Sequence, residues 1–241
     1  MILETALLRS QHCGLNLAFE DWFLRNVSAR ERMYLFFYEN HDALVLGKSL
    51  ELEKEVFTHK PHPPVYRRIS GGGSVLHARG NLNYALFMSL TDFPQLSHIG
   101  ESYRLILQAV ASRLPGKVTV QGYSDLVLRS RGEWRKFSGN AQCRRRGWVM
   151  HHGTILYARS ALRRIPWYLR PPPKQPEYRK NRPHRDFMTN VLPVYDRNRL
   201  MHLVRHGVAE NFGAALRTVA DPLAAARFAV NPPFQDESKR R

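Results

Sequence analysis

Hydrophobic positions along the chain change period several times, and the changes mark out its elements. Over residues 14–25, Leu15, Leu17, Ala18, Trp22, Phe23 and Leu24 recur at near-helical spacing with Glu20, Asp21 and Arg25 between them, which predicts an amphipathic helix packed on a sheet. Residues 34–38 and 43–46 are short aromatic and branched runs separated by Glu39-Asn40-His41-Asp42, the pattern of strand, turn and strand. Residues 51–57 read as a short charged helix, and Lys60-Pro61-His62-Pro63-Pro64 is a rigid lead-in to a strand at 65–68. Residues 74–77 and 82–89 read as paired strands. A second amphipathic helix follows at 103–114, ended by Pro115-Gly116, and then strands at 117–120 and 125–128. Residues 129–135 form a polar hairpin turn leading to Lys136, and 197–212 are helical by the spacing of Leu200, Leu203, Val204 and Val208. Strands interleaved with helices predict an α/β (α+β) fold, a sheet flanked by helices.

One stretch stands outside this patterning: Arg67-Arg68-Ile69-Ser70-Gly71-Gly72-Gly73-Ser74, followed by Val75-Leu76-His77 and then Asn81-Leu82-Asn83-Tyr84. Consecutive glycines let the backbone approach a ligand closely and turn several N–H groups into one concavity. An arginine pair beside them presents planar forks of donors suited to carboxylate or phosphate. The same residues also fit a wide hairpin turn between two strands. They match neither the P-loop nor the dinucleotide-binding glycine pattern.

At 241 residues the chain suits one domain, expected over 1–230, with a disordered basic tail at 231–241. No apolar run is long enough to span a bilayer and the first residues do not read as a signal peptide, so a cytoplasmic protein is expected. A formal charge of +17 invites nucleic acid, an anionic cofactor or an acidic protein. No RNA-recognition signature or zinc-finger spacing accompanies it, which makes nucleic acid the weaker choice. Two cysteines far apart, Cys13 and Cys143, exclude a disulfide framework and a cysteine-based metal site. His151 and His152 are adjacent on a strand, point to opposite faces and cannot chelate one ion together.

Two later runs join the glycine stretch: Lys136-Phe137-Ser138-Gly139-Asn140-Ala141 and His151-His152-Gly153-Thr154-Ile155-Leu156. In this order the three runs resemble the lipoate-protein ligase family of the biotin/lipoyl ligase fold, which implies a mixed/antiparallel central sheet flanked by helices. The resemblance implies that Lys136 contacts the lipoyl carbonyl and the α-phosphate of an acyl-adenylate. It implies that Arg68, Ser70 and the Gly71, Gly72 and Gly73 backbone hold that adenylate, and that His77, Asn83 and His152 lie at the acyl pocket. Asp125, Ser138 and Gly139 would stand near the adenylate. Residues 159–185, crowded with proline and arginine and without clear period, correspond to a mobile adenylate-binding loop in which Lys180 and Arg182 close over phosphates. Residues 186–191 resemble the family's closing strand.

The implied reaction activates lipoate with ATP and Mg²⁺, then transfers the lipoyl group to a lysine of a small acidic lipoyl domain. Without the further domain that two-domain ligases carry after this point, the chain is expected either to perform the transfer step alone or to need a separately encoded accessory domain for adenylation. Two departures from the family pattern are Gly47-Lys48-Ser49-Leu50-Glu51, where a Gln-Asn pair is usual, and Ala78, where Asp commonly follows the histidine. One rival is an ATP-independent octanoyl or lipoyl transferase. It needs a nucleophilic cysteine, yet none lies between Lys117 and Asp125, and Cys143 sits elsewhere among Arg144, Arg145 and Arg146. The other rival is a non-catalytic nucleotide or nucleic-acid binding module.

Overall fold

A computed structural model describes residues 1–191 and 196–225. Its strands are β1 (Ile2–Leu7), β2 (Arg32–Tyr38), β3 (Ala43–Leu46), β4 (Val65–Arg67), β5 (Val75–His77), β6 (Asn81–Ser89), β7 (Val118–Gln121), β8 (Asp125–Ser130), β9 (Glu133–Arg145), β10 (Trp148–Leu156) and β11 (Ala215–Thr218). Its helices are α1 (Cys13–Asn26), α2 (Leu52–Glu55), α3 (Ile99–Ala111), α4 (Arg159–Tyr168), α5 (His184–Phe187), α6 (Arg197–Asn211) and α7 (Pro222–Ala225). Eight strands form a mixed sheet in the order β11-β1-β2-β6-β10-β9-β8-β7, and three more form a small sheet in the order β4-β3-β5. The large sheet is antiparallel from β2 to β7, and β1 pairs in parallel with β2 and β11. This is the mixed sheet flanked by helices that the family resemblance implies.

The period-2 rule assigns each face of the sheet. Leu35, Phe37, Leu82, Leu86, Val149 and Ile155 pack under α3 and α6, against Ile106, Val110, Leu200 and Val204. Phe36, Tyr38, Phe87 and Met150 face α1, where Phe19 and Leu24 complete a second cluster. The small sheet is buried on both sides, which is why Ala43-Leu44-Val45-Leu46 reads as an unbroken apolar run. Ala43 and Val45 meet Leu17 of α1, while Leu44 and Leu46 meet Ala161 and Ile165 of α4.

Several expectations change. The strands expected to pair at 74–77 and 82–89 do not: β6 lies in the large sheet, while β4 and β5 each flank β3 in the small one, so the glycine stretch crosses over β3 rather than turning a hairpin. β8 and β9 are longer than expected and meet at the short turn Arg131-Gly132, so Lys136 lies inside a thirteen-residue strand and not at a turn. Residues 159–185 are not one long loop. Ala161 and Ile165 bury a narrow stripe that makes 159–168 helical, a signal hidden by its arginines and by Pro166. Residues 184–187 form a helical turn where a closing strand was expected, and Met188 only bridges to Lys136. The expected tail at 231–241 lies outside the described residues. No helix among the described residues is long and apolar enough to cross a membrane.

Candidate active site

The site begins with how Arg68 is spent. Its side chain is buried, and its guanidinium donates to the Gly71 carbonyl (2.6 Å), the Gly73 carbonyl (2.7 Å) and Ser70 Oγ (3.0 Å). In a trans peptide the N–H points opposite to the C=O. Pulling the Gly71 and Gly73 carbonyls inward therefore turns the N–H groups of Gly72 and Ser74 outward. Among the described residues the N–H groups of Gly71, Gly72, Gly73 and Ser74 have no acceptor, so the loop is a nest of donors looking for an anion. Burial pulls the Arg68 guanidinium down to about 10, still protonated at neutral pH. Arg67 likewise bonds carbonyls, those of Gly47 (3.0 Å) and Leu50 (2.7 Å). The arginine pair thus braces the loop; the sequence reading had it supplying charge to the ligand. Gly47 is required beneath it, since a Cβ there would stand 2.0 Å from the Gly72 carbonyl oxygen.

Lys136 reaches the same face through an irregularity in β9. Leu126 pairs with Ser138 but Val127 pairs with Lys136, so Phe137 is an extra residue in the ladder. Phe137 drops into the core under α3, and Lys136 is turned to the opposite side, where its Nζ meets Asp125 Oδ1 at 2.7 Å. The Tyr178 hydroxyl donates to Asp125 Oδ2 at 2.7 Å and fixes the carboxylate from the far side. A Cβ on Gly139 would lie 2.9 Å from Lys136 Nζ, so glycine at this position leaves the space in which the lysine lies.

The rest of the floor is a row across five strands. Tyr38, Asn83, Thr154, Gly139 and Asp125 are successive partners from β2 to β8 and share one face. One row over, His152 faces the same way. Ser70 Oγ, accepting from Arg68, turns its proton to His152 Nε2 (2.6 Å), and His152 Nδ1 donates to Glu20 Oε2 (2.7 Å), whose other oxygen takes the Tyr38 hydroxyl (2.7 Å). His77, held down to about 3 by burial first and by Arg68 second, stays neutral and accepts at Nδ1 from Asn40 (2.8 Å). Asn83 Oδ1 is buried without a partner. His151 is on the other face, between Tyr84 and Tyr103, and burial holds it neutral as well.

These groups line two adjoining pockets. The first is bounded by Leu17, Tyr38, Val45, Arg68, His77, Asn83, Asn140 and His152; the second by Glu55, Leu76, Ser138, Ile165, Leu169, Arg170, Arg179, His184 and Phe187. Gly73, Ser74, Val75, Lys136, Gly139 and Thr154 belong to both.

Two residues of the basic segment lie elsewhere. Lys180 is exposed, and Arg182 is bound to the carbonyls of Trp134, Tyr178 and Arg179 and to Glu133; neither lines a pocket. Arg179 of the same segment does line the second pocket; it stacks on Phe187 at 4.6 Å, and its buried Nη2 has no partner among the described residues. His184 is similar: it donates from Nε2 to the Arg170 carbonyl (3.0 Å), and its buried Nδ1 has no partner. Sequence reasoning missed Arg179, Glu20, Asn140 and Tyr178 as site residues. The one hint was Glu20, a carboxylate on the buried side of a helix pattern.

By fold the chain sits among lipoate-protein ligase structures. It superposes on a bi-partite lipoate protein ligase from Thermoplasma acidophilum, described with its E2 lipoyl domain (TM-score 0.75, 20% identity, 93% of this chain and 90% of that one). It superposes equally on a lipoate-protein ligase A bound with ATP (TM-score 0.75, 21% identity, 93% of each chain). In sequence it is 32% identical over 146 residues to the lipoate-protein ligase LplJ of Bacillus subtilis, which covers 59% of this chain and 42% of that protein. The lipoyl protein ligase A/B catalytic domain model matches residues 12–213, and the chain belongs to that family. It spans less than half the length of the curated relative.

Proposed function

We propose that the chain, with residues 1–230 as its catalytic unit, is a lipoate-protein ligase that works through lipoyl-adenylate. The observation that carries this reading is Lys136 Nζ at the wall common to both pockets, beside a glycine nest of unpartnered N–H groups. The first pocket, with apolar Leu17 and Val45 on its sides, suits the acyl chain. The second suits a nucleotide: Arg179 has a spare donor for phosphate, and Glu55 is an acceptor of the kind that takes ribose hydroxyls.

In the first step the carboxylate oxygen of lipoate attacks the α-phosphorus of ATP, and pyrophosphate leaves with the electron pair of the broken P–O bond. Lys136 and the outward N–H groups of Gly72 and Ser74 would hold the reacting oxygens, supplying positive potential where charge gathers. Asp125 and Tyr178 would keep the ammonium aimed. In the second step a deprotonated lysine ε-amine of the acceptor attacks the acyl carbonyl, and AMP departs as the amide forms. No group of three or more His, Cys, Asp or Glu able to hold a metal occurs among the described residues. Mg²⁺ would arrive on the phosphates, with Glu55 as the carboxylate of the second pocket that could share it, and its chemistry is neutralisation of phosphate charge.

The acceptor would be a lipoyl domain, and a separately encoded accessory chain is part of the same reading. A cytoplasmic setting, where ATP is available, goes with it. The ATP-independent transferase reading needs a thiolate in the pocket. Cys13 is buried against His77 Nδ1 (3.8 Å) with its thiol pushed far up by burial, Cys143 packs in the aromatic cluster beneath α1 with its thiol raised too, and neither lines a pocket. The deciding experiment incubates the protein with lipoate, ATP, Mg²⁺ and an unlipoylated lipoyl domain. Release of pyrophosphate and a lipoyl mass increment on the acceptor are expected; acceptor labelling from an acyl thioester without ATP would overturn the reading.

A further inference from the structure

The positive excess of this chain is unevenly spread. From Trp134 to Pro176 there is not one Asp or Glu, and this acid-free stretch contains the pocket strand β10, most of β9 and all of α4. α4 has two contrasting faces. Its inner side, Ala161 and Ile165 with Leu169 beyond, packs on the small sheet, and Ile165 and Leu169 form a wall of the second pocket. On its outer side Arg159, Arg163 and Trp167 recur every four residues, one above the other, and all are exposed, Trp167 by 60%. Arg159 and Arg163 have no acidic partner among the described residues, whereas Arg164, one position round the helix, is paired with Asp42. Lys60 Nζ stands 5.0 Å from the centre of the Trp167 ring.

A solvated basic helix face has no use for an open tryptophan. Tryptophan and arginine are the residue types that dominate binding energy when they become buried at a protein interface. A nucleic-acid platform of the stacking kind needs a succession of aromatic rings, and this face offers one. The surface also stands in the right place, because the chain leaving α4 runs directly to Arg170 and Pro172 on the rim of the second pocket. An occupant of Trp167 is about one helix diameter, some 10 Å, from whatever that pocket holds, within reach of a lysine carried on a protruding turn.

We infer that the outer face of α4, together with Lys60, is the docking surface for an acidic domain that carries the acceptor lysine. This rests on the ligase reading. Complementary charge would speed the encounter and set its register, and the tryptophan would supply the buried anchor.

The test uses the full chain with an Arg159→Glu/Arg163→Glu double variant and, separately, Trp167→Ala, all at exposed positions away from the pockets. Lipoate-dependent ATP–pyrophosphate exchange, which contains no acceptor, should stay within about twofold of the parent. With an unlipoylated E2 lipoyl domain as acceptor, KM should rise about tenfold or more for the double reversal and several-fold for Trp167→Ala, kcat at saturating acceptor being retained. The salt dependence of kcat/KM should flatten in the double variant. Intact exchange with unchanged acceptor KM in both variants overturns the proposal. So does loss of binding to a single-stranded oligonucleotide while acceptor KM stays put, which assigns the face to nucleic acid. A parent protein that shows no exchange either alone or with an accessory ligase domain added removes the ligase reading, and this proposal with it, and is told apart because it appears before any variant is made.

Discussion

The two halves of the site treat their arginines in opposite ways. In the first pocket Arg68 spends its donors on Ser70 and the glycine-loop carbonyls, and Ser70, His152, Glu20 and Tyr38 continue the same closed circuit. In the second, Arg179 Nη2 and His184 Nδ1 are buried with nothing to bond. A buried polar group without a partner is costly unless a ligand supplies one. The wired half is therefore a shaped mould whose backbone does the binding, while the second half leaves one side-chain donor, Arg179 Nη2, and one acceptor, His184 Nδ1, for its guest. Lys136 stands on the boundary and should matter to both.

Lys136→Ala should have the largest effect, lowering acceptor labelling by about 10²–10³-fold, as loss of a preorganised charge at a reacting centre does. A mass assay at saturating substrates reads it directly. Arg68→Met comes next. It strands the Gly71 and Gly73 carbonyls and Ser70, and thermal or urea unfolding should show a loss of about 3 kcal/mol. Labelling should fall with it, because the N–H nest is no longer aimed. A fully stable Arg68→Met enzyme would erase the distinction between brace and ligand.

Gly139→Ala sharpens the boundary. Its Cβ displaces the Lys136 ammonium without touching the charge, so kcat should drop roughly tenfold with unchanged unfolding midpoint. Arg179→Gln tests the second pocket and should raise the KM for ATP about tenfold while leaving lipoate KM alone. Lys180→Ala, at an exposed position, should change every parameter by less than about twofold. If Lys180 outweighed Arg179, the assignment of the phosphate partner would be reversed.

Part of the fold was legible because β2 and β3 are dense in aromatic and branched residues and α3 and α6 repeat their apolar positions at helical spacing. The edges were not. β11 is exposed along its whole length and shows no apolar pattern, and β1 buries Glu4 and Thr5 in its middle, which breaks the apolar run Ile2-Leu3 from Ala6-Leu7. The motif residues pointed to the loop and to Lys136, but their spacing carries no sign of orientation. That Lys136 faces the glycines depends on one extra residue at Phe137, and a bulge has no local signature in a run such as Arg135-Lys136-Phe137-Ser138. Choosing Arg179 over Arg182 is equally tertiary: both stack near Phe187, and only the turn over Glu177–Arg179 decides which fork enters the pocket.

The central claim is that a single ammonium serves both chemical steps from the wall between the two pockets. Lys136→Ala should therefore be assayed in each step alone, by lipoate-dependent ATP–pyrophosphate exchange and by transfer from presynthesised lipoyl-adenylate to a lipoyl domain. The account predicts that both rates fall by about a hundredfold or more. Either step proceeding at the parent rate would contradict it.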